Sequence, residues 1–271
     1  MLKQSKGCPY ALAREWNAAE YEGLSSPQTR WGSEFLGRLE LGGDEDAIDA
    51  GCGTGKVTGL LLDRLPRGTI LAVDGSRAMV EAAGERFAGE PRVRVEHQDL
   101  LELEVEETVD LVFSTATFHW IGDHGRLFDR LALALKPGGG LAAQCGGEGN
   151  ISRATRATRE VMARERFRPS FEGWDDDKNY AGAGETKERL EAVGFGGVET
   201  WLHEEPTRFG SVEELARFLA TVVLGGHLER LPEGEREAFA RAVAEASAED
   251  GDPLLDYVRL NMTATRSGDG A

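Results

Sequence analysis

The sequence predicts an α/β protein with a mostly parallel sheet, and three observations carry that reading. Short apolar runs recur between residues 47 and 145, several closing on an acidic residue. Segments with apolar residues at helical spacing alternate with those runs. The first run, Ala47-Ile48, leads into a glycine-rich turn, Asp49-Ala50-Gly51-Cys52-Gly53-Thr54-Gly55, and a helix follows with Val57, Leu60, Leu61 and Leu65 on one face.

The elements follow in order. Residues 1–45 form a lead-in with helical stretches at 9–20 and 28–41, separated by Ser25-Ser26-Pro27. After the first strand and its helix, Thr69-Ile70-Leu71-Ala72-Val73 reads as a buried strand ending in Asp74. The alternating run Val93-Arg94-Val95-Glu96 is a third strand, followed by His97-Gln98-Asp99-Leu100. The fourth strand spans 109–114 and runs into Thr115-Ala116-Thr117-Phe118-His119-Trp120. A helix with Leu127, Phe128, Leu131 and Leu135 on one face stops at Lys136-Pro137-Gly138-Gly139, where the chain turns into a strand over 141–145.

Residues 151–167 form a helix with Val161 and Met162 inward, 171–184 a loop, and 185–193 a short helix ended by Gly194. Residues 198–209 and 254–265 alternate like strands, and Val258, Leu260, Met262 and Ala264 share one face. Helices at about 212–224 and 233–248 lie between them.

The chemistry begins at the turn. A dinucleotide loop spaces its glycines G-x-G-x-x-G and sets a helix N-terminus against a pyrophosphate. Here the spacing is G-x-G-x-G, with Asp49 two residues before the first glycine. A carboxylate there repels a pyrophosphate but suits the ammonium of an amino-acid tail, as in S-adenosylmethionine (SAM), which has no phosphate. Asp74 stands 19 residues after Gly55, where a second parallel strand ends, and can accept both ribose hydroxyls. That role fits NAD and SAM alike; the loop favours SAM. Asp99 can bond an adenine amino group, with Leu100 over the ring.

With IDAGCGTG, LAVDGS, HQDL, VDLVFSTATFHW and LKPGG in this order, the chain resembles the class I SAM-dependent methyltransferases. The resemblance is strongest over residues 10–147. It extends to the branch that includes trans-aconitate methyltransferase, through Phe118-His119-Trp120-Ile121-Gly122-Asp123-His124 and through TVVLGGHLERL at 221–231. It implies a Rossmann-like seven-stranded mixed sheet, mostly parallel with the last strand antiparallel. It also implies flanking helices and a helical lid from residues 1–45 and about 211–250, above the carboxyl ends of the strands. All 271 residues then form one domain, with a core unit at 46–147 and the C-terminal strands and lid insertion at 148–271.

The implied cofactor is SAM, with S-adenosylhomocysteine (SAH) as product. The implied cofactor residues are Tyr21, Asp49, Gly51, Cys52, Gly53, Gly55, Asp74, Gly75, Ser76, Met79, Asp99, Leu100, Ser114 and Thr115. Trp16 and Asn17 stand with Tyr21 before the first core helix. The acceptor side is expected to hold Gln28, Phe118, His119, Trp120, Arg208 and His227, with His119 and Trp120 as catalytic candidates. Gln28 could instead serve the cofactor tail or simply start its helix. Arg208, Arg217 and His227 fit either an acid-binding lid or a solvated face.

Composition agrees. A formal charge of −17 repels phosphate backbones, which argues against a nucleic-acid substrate but leaves a small anionic one open. Cys8, Cys52 and Cys145 make neither a paired framework nor a metal cluster, and no metal is expected. With no leader and no bilayer-length apolar run, the expected location is cytoplasmic; the oligomeric state stays open. Methyl transfer from a sulfonium is an in-line displacement that depends on alignment. An ionised carboxylate acceptor needs no base. A phenol, amine or carbon acid does, and His119 is the nearest candidate. The reading expected first is a methyl ester on a small acid, ahead of N-, phenol-O- or C-methylation. A nicotinamide oxidoreductase and a non-catalytic SAM binder are the competing classes.

Overall fold

The computed structural model describes residues 26–106, 108–176 and 178–268. Five parallel strands, β1 (Ala47–Ala50), β2 (Ile70–Asp74), β3 (Val93–His97), β4 (Val109–Thr115) and β5 (Leu135–Gly146), form most of the main sheet. β6 (Phe195–Glu204) lies at its far edge. A separate two-stranded ribbon joins β7 (Thr207–Arg208) to β8 (Leu254–Leu255), and the last strand is β9 (Val258–Arg266). The seven-stranded order is β3-β2-β1-β4-β5-β9-β6, with β9 antiparallel to both neighbours. The expected mixed sheet is therefore present. From β1 the chain steps to β2 on one side and β4 lies on the other, so a ligand crevice opens at the carboxyl end of β1.

Helices cover both faces. α1 (Ser26–Leu36) and α2 (Lys56–Arg64) bury Phe35, Leu61 and Leu65 with Phe113, Ile70 and Ala142. α3 (Arg77–Arg86) brings Ala83 against Cys52 and Ala72. On the opposite face, α4 (His124–Ala134) and α6 (Ala183–Ala192) bury Leu127, Phe128, Leu131 and Leu190 with Val112, Leu141, Ala143 and Met262. α5 (Ser152–Met162), α7 (Val212–Phe218), α8 (Gly225–Arg230) and α9 (Glu233–Ser247) build a second apolar core of their own. That core takes in Trp31 from α1 and Tyr257 just before β9. No helix among the described residues is long and apolar enough to cross a membrane.

Several boundaries differ from expectation. α1 stops at Leu36, because Gly37 takes the chain out of the helix before residue 41. The strand expected over 198–209 ends at Glu204; Pro206 has no N–H to continue a ladder, and Thr207 pairs with Leu255 instead. The run 254–265 divides at Asp256-Tyr257 for the same reason, its first two residues belonging to the ribbon. Its apolar face behaves as expected, with Leu260, Met262 and Ala264 buried. On the opposite face Arg259 and Asn261 are also buried. That face is covered as well: the Trp31 ring of α1 lies against the Arg259 guanidinium, and Asn261 Oδ1 accepts from Gln144 Nε2 of β5 at 2.7 Å.

Candidate cofactor and acceptor site

The glycine loop leaves β1 with Gly51, Gly53 and Gly55 at φ +86°, +55° and +81°. These left-handed conformations are where glycine has its advantage. Gly51 has a second constraint: a Cβ would lie 2.1 Å from Thr117 Oγ1. A Cβ on Gly55 would lie 2.6 Å from Phe87 Cε2. Gly51→Ala is expected to cost about 4 kcal/mol of stability and to weaken SAH binding more than tenfold. Gly59→Ala, on α2 where a Cβ meets nothing within 4 Å, should be neutral or stabilising by about 0.5–1 kcal/mol. Thermal melts and calorimetric SAH titration of the two variants check this pair.

Backbone bonds from Gly51 N and Cys52 N to Val73 O, 2.8 and 3.0 Å, dock the loop on the end of β2. Asp74, the last residue of β2, accepts from Gly53 N (2.9 Å) and from Ser76 N (2.8 Å). A carboxylate has four lone-pair sites, so Asp74 can fix the loop and still receive ribose hydroxyls. Asp49 is buried, and its Oδ2 accepts a 2.6 Å bond from Thr58 Oγ1 of α2. Burial pushes the Asp49 carboxyl up to about 7, with the nearby Asp74 charge adding to the rise and the Thr58 bond opposing it. Asp99 follows β3 and accepts from Leu101 N at 2.9 Å, capping a short 3₁₀ turn.

One crevice is lined by Gln28, Thr29, Asp49, Gly51, Cys52, Gly53, Thr54, Lys56, Val57, Thr115 and Ala116. The cleft fits an amino-acid tail on an observation independent of the loop. Gln28 is only 9% exposed, and its Oε1 has no hydrogen-bond partner among the described residues. A buried acceptor beside a buried carboxylate suits an ammonium, which donates three hydrogen bonds. Lys56, the first residue of α2, lines the same crevice and puts a cation at a helix N-terminus, a setting that suits a carboxylate. Lys56 and Thr29 were missed in the sequence, although Lys56 directly follows the glycine run.

Gln28 thus lines the crevice of the glycine loop. Ser114 is buried, with its Oγ donating to Ala50 O at 2.6 Å, so its side chain pins β4 to β1. Ser76 caps α3 through Met79 N, and Met79 and Leu100 are buried behind the loop. The Gly75 carbonyl lies 2.9 Å from His97 Nε2. Tyr21, Trp16 and Asn17 lie outside the described residues.

The acceptor side forms where β4 ends. Phe118-His119-Trp120 make one 3₁₀ turn. Phe118 is fully buried against Phe128 in the main core, which removes it from the expected acceptor-lining set. His119 is buried, its ring 5.0 Å from Trp120 and 5.8 Å from Tyr180 between centroids. Gly146 N donates to His119 Nδ1 at 3.2 Å, so the proton of the neutral ring sits on Nε2. Burial drives the His119 pKa well below its ordinary value, and the Arg259 and Lys178 charges push the same way. His119 is therefore a neutral ring with its Nε2–H free to donate, which suits an acceptor that needs no base.

Two cations stand beside that ring. Arg259 is 3% exposed and lies over the Trp31 ring, 4.9 Å from its centroid. Lys178 pairs with Asp176 and lies 5.1 Å from the Trp120 centroid. Arg259 also acts electrostatically on Tyr180, whose hydroxyl is held protonated chiefly by burial. His227 is buried among Phe171, Trp174 and Phe239 in the helical core, with Nε2 3.9 Å from Asp176 Oδ2. Arg208 lies exposed on the ribbon, bonded to Asp252, so its expected acceptor contact is not supported by its placement.

A family pattern described as a methyltransferase domain matches residues 47–139, from the start of β1 into β5. A trans-aconitate 2-methyltransferase of Methylobacterium nodulans is 31% identical, covering 93% of this chain and 99% of its own length. One from Sinorhizobium medicae is 30% identical with the same coverage. Among solved structures, Haemonchus contortus phosphoethanolamine N-methyltransferase 2, in complex with SAM, superposes with a TM-score of 0.60 at 20% identity. That match covers 93% of this chain and 57% of the other. The chain therefore belongs to the class I SAM-dependent methyltransferase family and resembles its trans-aconitate methyltransferase branch.

Proposed function

We propose that this methyltransferase esterifies a carboxylate of a small organic acid. The observation that carries the reading is Arg259, a buried guanidinium beside His119 at the carboxyl end of the sheet. A buried cation there favours an anionic acceptor and disfavours an ammonium. The names of the relatives, which specify trans-aconitate, point the same way.

SAM, when bound, supplies a methyl group already activated by the positive sulfur. Asp49 and Gln28 hold the ammonium of its tail, Lys56 the carboxylate, Asp74 the ribose and Asp99 the adenine amino group. The acceptor carboxylate is ionised at neutral pH, so no group has to remove a proton. Arg259 and Lys178 attract it, His119 Nε2–H donates to it, and the Trp120 and Tyr180 rings help to exclude water. The helices between residues 212 and 247 close the acceptor side.

Incubation with methyl-labelled SAM and a panel of acids, trans-aconitate included, tests this. A base-labile methyl ester is expected; label retained only on amines or phenols would refute it. The neutral state of His119 adds a prediction on pH. With saturating SAM and acid, kcat should be flat between pH 7 and 9. His119→Asn should lower it by about tenfold without recovery at high pH. Recovery at high pH would indicate an acceptor that must lose a proton.

A further inference from the structure

Trp31 is 1% exposed, and its indole Nε1 has no hydrogen-bond partner among the described residues. An indole N–H is a donor only, and leaving it buried without an acceptor carries a desolvation cost. A position that required only an apolar ring could hold phenylalanine. The ring itself is well placed, meeting Tyr257 edge-on at 4.9 Å and carrying the Arg259 guanidinium over its face. Gln28 stands three residues earlier on α1 and faces the cofactor cleft. Three helical positions, a rise of about 4.5 Å, therefore separate the residue lining that cleft from the buried indole.

We infer that Trp31 is an acceptor-binding residue, its indole Nε1–H and the Arg259 guanidinium together holding one carboxylate of the acid. The inference rests on the acid-esterifying function proposed above. The guanidinium supplies charge and paired donors, and the indole supplies one further donor in a fixed direction. Carboxylate binding satisfies the orphaned N–H, so an acid gains over an uncharged isostere that offers no strong acceptor.

Trp31→Phe keeps an aromatic face for Arg259 and removes the N–H. With trans-aconitate as the probe acid, KM should rise about tenfold. Both kcat and the SAH Kd should stay within twofold, and Tm should not fall by more than a few degrees. A packing role alone would lower Tm and leave KM unchanged, and that result overturns the inference.

A second measurement uses the wild-type protein with SAH bound. The Trp31 indole ¹H–¹⁵N signal, assigned through its NOE to the Tyr257 ring, is followed as trans-aconitate and, separately, glutarate are added. It should shift downfield in wild type and stay still in Arg259→Gln. No shift with either acid overturns the inference, whatever the enzyme methylates. A shift without methyl-ester formation on any acid leaves the carboxylate corner in place and refutes the proposed function instead.

Discussion

Asp49→Asn is expected to make the ligand-free protein more stable at pH 8 while it weakens SAH binding about 100-fold. Burial is the main cause that pushes the Asp49 carboxyl from its ordinary 3.8 up to about 7. A raised carboxyl favours folding fully below the unfolded pKa, and that contribution is lost as pH climbs through the folded one. Above about pH 7 the native state therefore carries the whole cost of an ionised, buried carboxylate. A rise of that size corresponds to at most about 4 kcal/mol. Asparagine removes that cost, and its carbonyl can still accept the Thr58 hydroxyl. A Tm gain of roughly 5–10 °C at pH 8, shrinking toward pH 5.5, is the expected melt.

Binding moves the other way, because the ligand's ammonium loses a charged partner worth about 2–3 kcal/mol. In wild type, SAH affinity should fall up to tenfold per pH unit below about 7, as protons compete for Asp49; in Asp49→Asn that dependence should vanish. Calorimetry across pH 5.5–8 measures both. Equal stability of the two proteins at pH 8, with a pH-independent wild-type Kd, would show that Asp49 is ionised in the ligand-free cleft and not strained by burial.

The parallel sheet and the glycine loop were legible because their signals are local. Two-residue alternation, a glycine triplet and strand-terminal aspartates each lie within a few neighbouring positions. Asp49, Gly51, Cys52, Gly53 and Thr115 consequently line one crevice, with Asp74 bonded into it. What escaped depends on chain pairing over long distances. Alternation puts Arg259 and Asn261 opposite Leu260 and Met262, which at a sheet edge would mean solvent. Partners distant in sequence bury them: Trp31 of α1 lies against Arg259, and Gln144 of β5 donates to Asn261. Gln28 looked like a helix-start residue until α1 was laid beside the β1 loop. His119 read as the nearest candidate base for an acceptor that must lose a proton, because nothing local announces that Gly146, 27 residues on, fixes its tautomer. Loop and strand chemistry was thus readable, whereas the electrostatics of the acceptor side were not.

Arg259→Gln should lower kcat/KM for an acid acceptor by about 1,000-fold and leave SAH affinity within about threefold. Truncating one partner of a buried, hydrogen-bonded ion pair costs roughly 2–5 kcal/mol, because the other charge is left uncompensated. Here that other charge would be the acid's carboxylate, so the loss falls mainly on KM. The glutamine amide retains hydrogen-bonding groups but no charge, and it no longer gives the Trp31 ring a cation. Arg259→Lys restores charge without the planar fork and should recover only part of the loss.

A second consequence separates charge from packing. Arg259 is the largest electrostatic contribution holding His119 in its neutral form, after burial itself. Removing the guanidinium should therefore raise the His119 pKa, visible as an upward shift in the ring's NMR titration. Arg259→Lys should move it much less. A mere packing defect would disturb Tm without this ordered pair of shifts. An Arg259→Gln enzyme that keeps its acid kcat/KM would transfer the anchoring role to Lys178, the other cation beside His119, whose pairing with Asp176 the acid would then have to displace.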